Sequence, residues 1–424
     1  MRKLILCSLA AALAASPAAA QTISIEGGTV YTMTGPPIQN GPVLIRDGVI
    51  VAVGANVPIP AGVTRIDARG RIVTPGFIDS GSTTGLIEIE QISETNDFQV
   101  GAEETDLVAA GFSVADGLNP NSIAIPITRV AGVTTAVSRP QGDLFSGQGV
   151  LIDLAGRTQE AMLVRNPVAL FADLGESNRA VVKRTRGGAA MLFREVLEDA
   201  RAYSRNREGY DRGQSRELSV DRVDLEALQP VLAGRVPLVV EAHRASDILT
   251  VLRLAREYGF RPIVAGGTEA WMVAEDLARA RVPVIVKVLQ NLPQSFEKLG
   301  ATYENAARLQ RAGVQVAIMT GGAWASQTLA QEAGNAVAHG LPYEEALRAL
   351  TLYPARIWGV DDRYGSLEAG KVANVVVWGG DPLELVTPVE QVIIRGQQLP
   401  LTTRETELRD RYLRIDDSAR PYAR

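Results

Sequence analysis

The sequence predicts an α/β protein, a (β/α)8 TIM barrel inserted in a small β-sandwich domain built from both chain ends. Three observations predict it. The middle of the chain alternates apolar strands with helices of about a dozen residues, as parallel βαβ units do. Short strands separated by turn residues flank that array on both sides. The 424 residues, 46% hydrophobic and 21% charged, are enough for one large core or two.

In chain order, MRKLILCSLAAALAASPAAA at residues 1–20 has a basic start at Arg2 and Lys3, an apolar stretch, and an Ala-Ala-Ala end. It reads as a signal peptide cleaved before Gln21, so the mature protein is expected to be periplasmic or secreted. Short strands with turns follow, with Ile23, Ile25 and Val30 before a Gly35-Pro36-Pro37 break and then Val43 to Ile45, Val49 to Val53 and Val63 to Ile66. Asp47-Gly48 between two apolar runs predicts a hairpin. Barrel-type strands are expected at Val73 to Ile78, Val133 to Val137, Pro237 to Ala242, Arg261 to Ala265, Val282 to Leu289 and Val314 to Met319. The count comes near eight, although not every strand separates cleanly. Between them, Ala189 to Gly209 reads as a charged helix with a solvated face. Ser246 to Tyr258 reads as an amphipathic helix, with Ser246 as N-cap and Gly259 just past its end. Strands return at Val372 to Trp378 and Val389 to Ile394. The expected division is residues 1–20 as signal peptide, 21–73 with 359–403 as the composite β domain, 74–358 as the barrel, and 404–424 as a charged tail.

Composition excludes several functions. With 43 basic and 48 acidic residues, the net charge of −5 leaves no cationic surplus for nucleic acid. No segment after the signal peptide is long and apolar enough to span a membrane. The chain has one Cys, at position 7, and two His. After signal cleavage no thiol remains, and two imidazoles cannot complete a metal site of three or four nitrogen or sulfur donors. No run of carboxylates at a strand end suggests an oxygen-only site.

TPGFIDSGSTTGL at Thr74 to Leu86 resembles the amidohydrolase superfamily, in which the first barrel strand ends in P-G-x-I-D-x-H-x-H. GVTTAVSRPQGDLFSGQG from Gly132, EAHRASDILTVLRLAREYGFRP from Glu241 and GGTEAWMVAEDLA from Gly266 are similar to its imidazolonepropionase-like subgroup. So is EEALRALTLYPARIWGVDDRYGSLEAGKVANVVVWGGDPLE from Glu344. The resemblance implies a hydrolase of C–N bonds that holds zinc or another divalent metal through strand-end His and Asp residues. Transferred to this chain, the two His of H-x-H fall on Gly81 and Thr83, a further His on Gly266, and the Asp on Gly321. Only His243 survives. The expected cofactor is therefore none, and the barrel is read as a scaffold that has kept its shape and lost its metal chemistry.

The candidate site follows from strand ends, because ligands meet a TIM barrel at the C-terminal face of its strands. His243 is the candidate reactive residue, as a relic, with Glu241 on the same strand face. Arg139 and Lys287 are candidate fixed cations occupying the space of the absent metals and suited to an anionic ligand. Ser146 and Gln148 come from the glycine-rich loop, and Glu269 from GGTEAW. With Gly81, Thr83, Gly266 and Gly321 they are expected to line a small-molecule pocket in the barrel mouth. A hydroxyl of the Ser80–Thr84 cluster, activated by His243, is the expected nucleophile if hydrolysis persists. His339, before Gly340, is expected to cap a helix C-terminus. Homo-oligomers, or pairing with an active homologue, are the expected associations.

Overall fold

The computed structural model describes residues 22–100, 107–176, 185–290 and 292–413; the segment expected to be a signal peptide and the end of the charged tail lie outside them. Eight strands form one sheet curled into a barrel, labelled here β1 to β8 in chain order. They are β1 (Phe77–Ser82), β2 (Val133–Ser138), β3 (Phe145–Asp153), β4 (Leu163–Asp173), β5 (Leu238–Ala242), β6 (Pro262–Gly266), β7 (Val284–Val286) and β8 (Val316–Ile318). Their spatial order equals their chain order. The ends of β8 and β1 meet where Gly321 N–H donates to the Gly81 carbonyl at 2.8 Å.

Seven strands run parallel and β3 runs against its neighbours. The cause is the link from β2, which spans only residues 139–144, whereas a parallel crossover needs about a dozen residues or more. Val73 to Ile78, expected as one strand, is two. Ile72–Pro75 pairs with Val375–Trp378 outside the barrel, and β1 begins at Phe77. Gly76 joins them because a Cβ there would lie 2.1 Å from Thr134 Oγ1.

Strand alternation separates two faces. Ile78, Val137, Leu151, Phe171, Val239, Ile263, Ala265, Ile285, Ala317 and Met319 share one cluster inside the barrel, closed below by Ile357, Trp358 and Tyr364. Val240, Val264, Val284 and Val316 face the surrounding helices in a separate cluster. The charged helix runs from Arg186 to Arg205, buries Phe193, Val196, Leu197 and Tyr203, and turns Arg194 and Arg201 outward to ion pairs.

Two further sheets come from the chain ends. One holds Val49–Val53, Val43–Arg46, Thr22–Glu26 and Thr64–Asp67 in spatial order. The other holds Gln397–Leu399, Val389–Ile394, Val375–Trp378, Ile72–Pro75 and Thr29–Val30. They share a core of Ile23, Ile25, Val43, Ile45, Val73, Val375, Val377 and Ile393, which makes the terminal part a sandwich. The Asp47-Gly48 hairpin forms as expected, with φ of 51° and 81°.

Candidate functional site in the barrel mouth

Inward parity fixes what reaches the mouth. Val137, Val239 and Ile285 point into the barrel, so Arg139, Glu241 and Lys287, two residues further on, continue the same face at the strand ends. His243 is the next inward residue after Glu241. Arg139 Nη1 donates to Glu241 Oε2 at 3.0 Å, and His243 Nε2 stands 3.6 Å from Glu241 Oε1. The other ring nitrogen, His243 Nδ1, is 2.9 Å from Thr268 Oγ1. Burial pushes the Glu241 carboxyl up, but the Arg139 guanidinium and His243 beside it hold it well below the usual carboxylate range.

Three glycines named among the candidates, Gly81, Gly266 and Gly321, are where these side chains find room. A Cβ at Gly81 would lie 3.1 Å from Met319 Sδ and 3.5 Å from Arg139 Nε. At Gly266, with φ of 78°, it would lie 2.4 Å from His243 Cε1. At Gly321, with φ of 82°, it would lie 2.6 Å from Lys287 Nζ. The space beside these glycines is thus held by Arg139, the His243 ring and the Lys287 ammonium. Lys287 makes no hydrogen bond or ion pair among the described residues. Its burial, with Arg139 nearby, lowers its pKa against the opposing pull of Glu332, Glu241 and Asp79.

Asp79, fully buried on β1, carries no signal that the motif did not already contain, and it was not among the candidates. It accepts from Gly81 N at 3.1 Å, Thr320 N at 3.2 Å, Thr320 Oγ1 at 2.5 Å and Ser326 Oγ at 3.2 Å. Burial nevertheless pushes it up to about 6, because those bonds only partly offset desolvation. Thr268 was missed as well; it sits in the GGTE segment beside His243.

Several candidates lie apart from this cluster. Thr83 Oγ1 accepts from Ala323 N at 3.0 Å and ties β1 to the loop after β8. Ser146 Oγ donates to the Gly142 carbonyl, and Gln148 Nε2 donates to the Ala110 carbonyl at 3.3 Å. Both hold loop backbone against β3. Glu269 accepts from Ala245 N at 3.0 Å and from Gly300 N at 2.9 Å. It thereby caps the helix Ala245–Tyr258 from a distance, and Ser246 is not the cap; Arg244 holds that position and Gly259 ends the helix in the left-handed region as expected. The hydroxyls of Ser82, Thr84 and Ser326 bond one another, Ser80 Oγ has no partner among the described residues, and the hydroxyl that meets His243 is that of Thr268. His339 Nδ1 is 2.8 Å from the Asn335 carbonyl and its ring stacks on Tyr303, a helix C-terminal role.

A divalent ion does not fit these residues. Among the described residues no three His, Cys, Asp or Glu side chains converge. Among those residues Glu241 and His243 are the donors at the mouth's centre, and Arg139 and Lys287 would repel the ion.

Residues 231–399 match the profile of the Amidohydrolase family. An amidohydrolase from Thermotoga maritima MSB8 superimposes with a TM-score of 0.82 at 31% identity, over 89% of this chain and 99% of that one. An imidazolonepropionase of Mesorhizobium japonicum is 27% identical over 85% of this chain and 93% of its own length. Amidohydrolase tasK of Hapsidospora irregularis is 26% identical over 84% of this chain, which spans only 39% of that larger relative.

Proposed function

The chain belongs to the amidohydrolase superfamily, and from that premise we propose that its barrel mouth binds a small molecule without metal-assisted hydrolysis of C–N bonds. The observation carrying this reading is the replacement of donors by cations. Arg139 is ion-paired to Glu241 at 3.0 Å, and Lys287 lies against Gly321 where the family places an Asp. Water bound to a divalent ion becomes a nucleophile near neutral pH only because the ion lowers its pKa. Two fixed cations cannot substitute, since they bind no water in an open coordination position. The test is elemental mass spectrometry on protein purified without chelators, alongside amide and dipeptide hydrolysis assays. Metal content near zero with no turnover is the expected result. One or more equivalents of Zn, Mn or Fe would overturn the proposal.

A second reading is an active C–N hydrolase centred on His243, favoured by the run Glu241–His243–Thr268, a carboxylate, an imidazole and a hydroxyl in sequence. If any hydrolysis is measured and His243→Ala leaves its rate unchanged, this reading fails. The same proposal places the mature protein in the periplasm or outside the cell, with Gln21 as its first residue; N-terminal sequencing of the exported fraction decides it. Association with a catalytically complete homologue belongs to the proposal too, and migration only at monomer size in native extract would remove it.

A further inference from the structure

We propose that the seam between the β8 and β1 ends is a carboxylate-binding site, in which Arg139 and Lys287 grip the two oxygens of a small organic acid. This deepens the metal-free binding function and rests on it. Arg139 uses one donor, Nη1, on Glu241. Its Nε is buried without an acceptor among the described residues, and the residue is only 8% exposed. A buried guanidinium N–H left unmade costs more than an ordinary missing hydrogen bond, because the donor is charged and desolvated. Such a donor persists where a ligand supplies the acceptor.

Lys287 brings the second cation to the same seam. A Cβ on Gly81 would stand 3.5 Å from Arg139 Nε, a Cβ on Gly321 would stand 2.6 Å from Lys287 Nζ, and Gly321 N–H is bonded to the Gly81 carbonyl at 2.8 Å. The two cations therefore flank one backbone junction, each over a glycine. Glu241 neutralises Arg139, whereas Lys287 has no hydrogen bond or ion pair among the described residues. Glu332, Glu241 and Asp79 act on Lys287 only through space, since none of them makes a hydrogen bond or ion pair with its ammonium among the described residues. Lys287 thus lacks a partner at bonding distance while Arg139 repels it, and an anion between the two would pair with both. The forked, planar guanidinium selects a planar carboxylate, and the ammonium adds a point charge.

The experiment uses N-acetylglycine as probe, with its methyl ester and inorganic phosphate as controls, in isothermal titration calorimetry of the full mature chain. Metal content is measured on the same sample. The acid binds and the ester does not. Lys287→Met, which leaves the Arg139–Glu241 pair intact, weakens the acid at least tenfold, and Arg139→Lys, which keeps the charge but removes the fork, does likewise. Equal affinity for acid and ester, or affinity unchanged in both variants, would overturn the inference. Phosphate binding more tightly than the acid would overturn the assignment to carboxylates. No binding by a metal-free sample sinks this inference alone. Stoichiometric metal whose chelation abolishes binding sinks the metal-free function beneath it.

Discussion

The barrel holds an arginine–carboxylate pair at each end, and the two are built differently. At the floor, Asp153 is fully buried and accepts from Arg395 Nε at 2.5 Å, Asn374 Nδ2 at 2.8 Å, Thr135 Oγ1 at 3.0 Å and Tyr364 OH at 3.0 Å. Both carboxylate oxygens have two partners, and Asn374 and Arg395 come from the terminal sandwich. At the mouth, among the described residues, Glu241 has Arg139 at 3.0 Å and the longer 3.6 Å approach of His243, its side chain is 28% exposed, and Arg139 keeps an idle Nε. A saturated network fixes one structure and joins the barrel to its sandwich; an unsaturated one has capacity left for a ligand. Residue type alone does not separate structural from functional charge here. The balance of donors and acceptors does.

The sharpest way to break this comparison is to remove one carboxylate from each pair. Asp153→Ala leaves Arg395, Asn374, Thr135 and Tyr364 without their shared acceptor, and removing one partner of a buried pair costs about 3–5 kcal/mol. Glu241→Gln retains an oxygen for Arg139 in a partly exposed setting, so its cost is about 1 kcal/mol. Urea denaturation of the two variants measures both. Equal losses would mean that the mouth pair is as structural as the floor pair.

Asp79 supplies the next largest effect, through pH. Its folded pKa is raised from 3.8 to about 6, so the native state keeps a proton that the unfolded chain releases. Its contribution to stability is therefore fully present below about pH 4 and is lost as pH rises to about 6. A shift of about two units corresponds to about 2–3 kcal/mol. Asp79→Asn removes the titration, so the stability difference between the native protein and the variant should move by that amount, in favour of the variant, from pH 4 to pH 7. A difference independent of pH would show that the hydrogen bonds from Thr320 and Ser326 keep Asp79 ionised throughout.

Much of this architecture was legible because it is periodic. Apolar strands alternating with amphipathic helices announce a barrel, and parity along β5 places Glu241 and His243 on one face without any coordinates. Arg139 and Lys287 were legible for the same reason, one as a charge ending an apolar strand and the other as a charge interrupting one; the strand itself stops at Val286, which puts Lys287 at its end. What escaped depends on pieces distant in sequence. The capping of Ala245 by Glu269, the bond between His243 and Thr268, and the four donors around Asp79 all join separate strand ends or loops. Ser146 and Gln148 misled because glycine-rich segments look alike whether a ligand or a loop approaches them. Here Gly147, with φ of 121°, makes room for the Phe112 carbonyl.

The smallest predicted effect separates the two glycines that receive the mouth's side chains. Gly266 and Gly321 both have positive φ, so alanine at either costs about 1–2 kcal/mol from backbone strain. The added methyl then meets different neighbours. At Gly266 it strikes the His243 ring, which Thr268 holds in place. At Gly321 it meets the end of Lys287, a flexible chain with no bond to break. Gly266→Ala should therefore lose roughly 1 kcal/mol more than Gly321→Ala, consistent with the cost of forcing a packed ring off its rotamer. Gly321→Ala should instead weaken N-acetylglycine binding out of proportion to its stability loss, because it displaces the ammonium from the seam. If Gly321→Ala leaves binding intact, Lys287 reaches the ligand from another position, and the glycine serves only the turn.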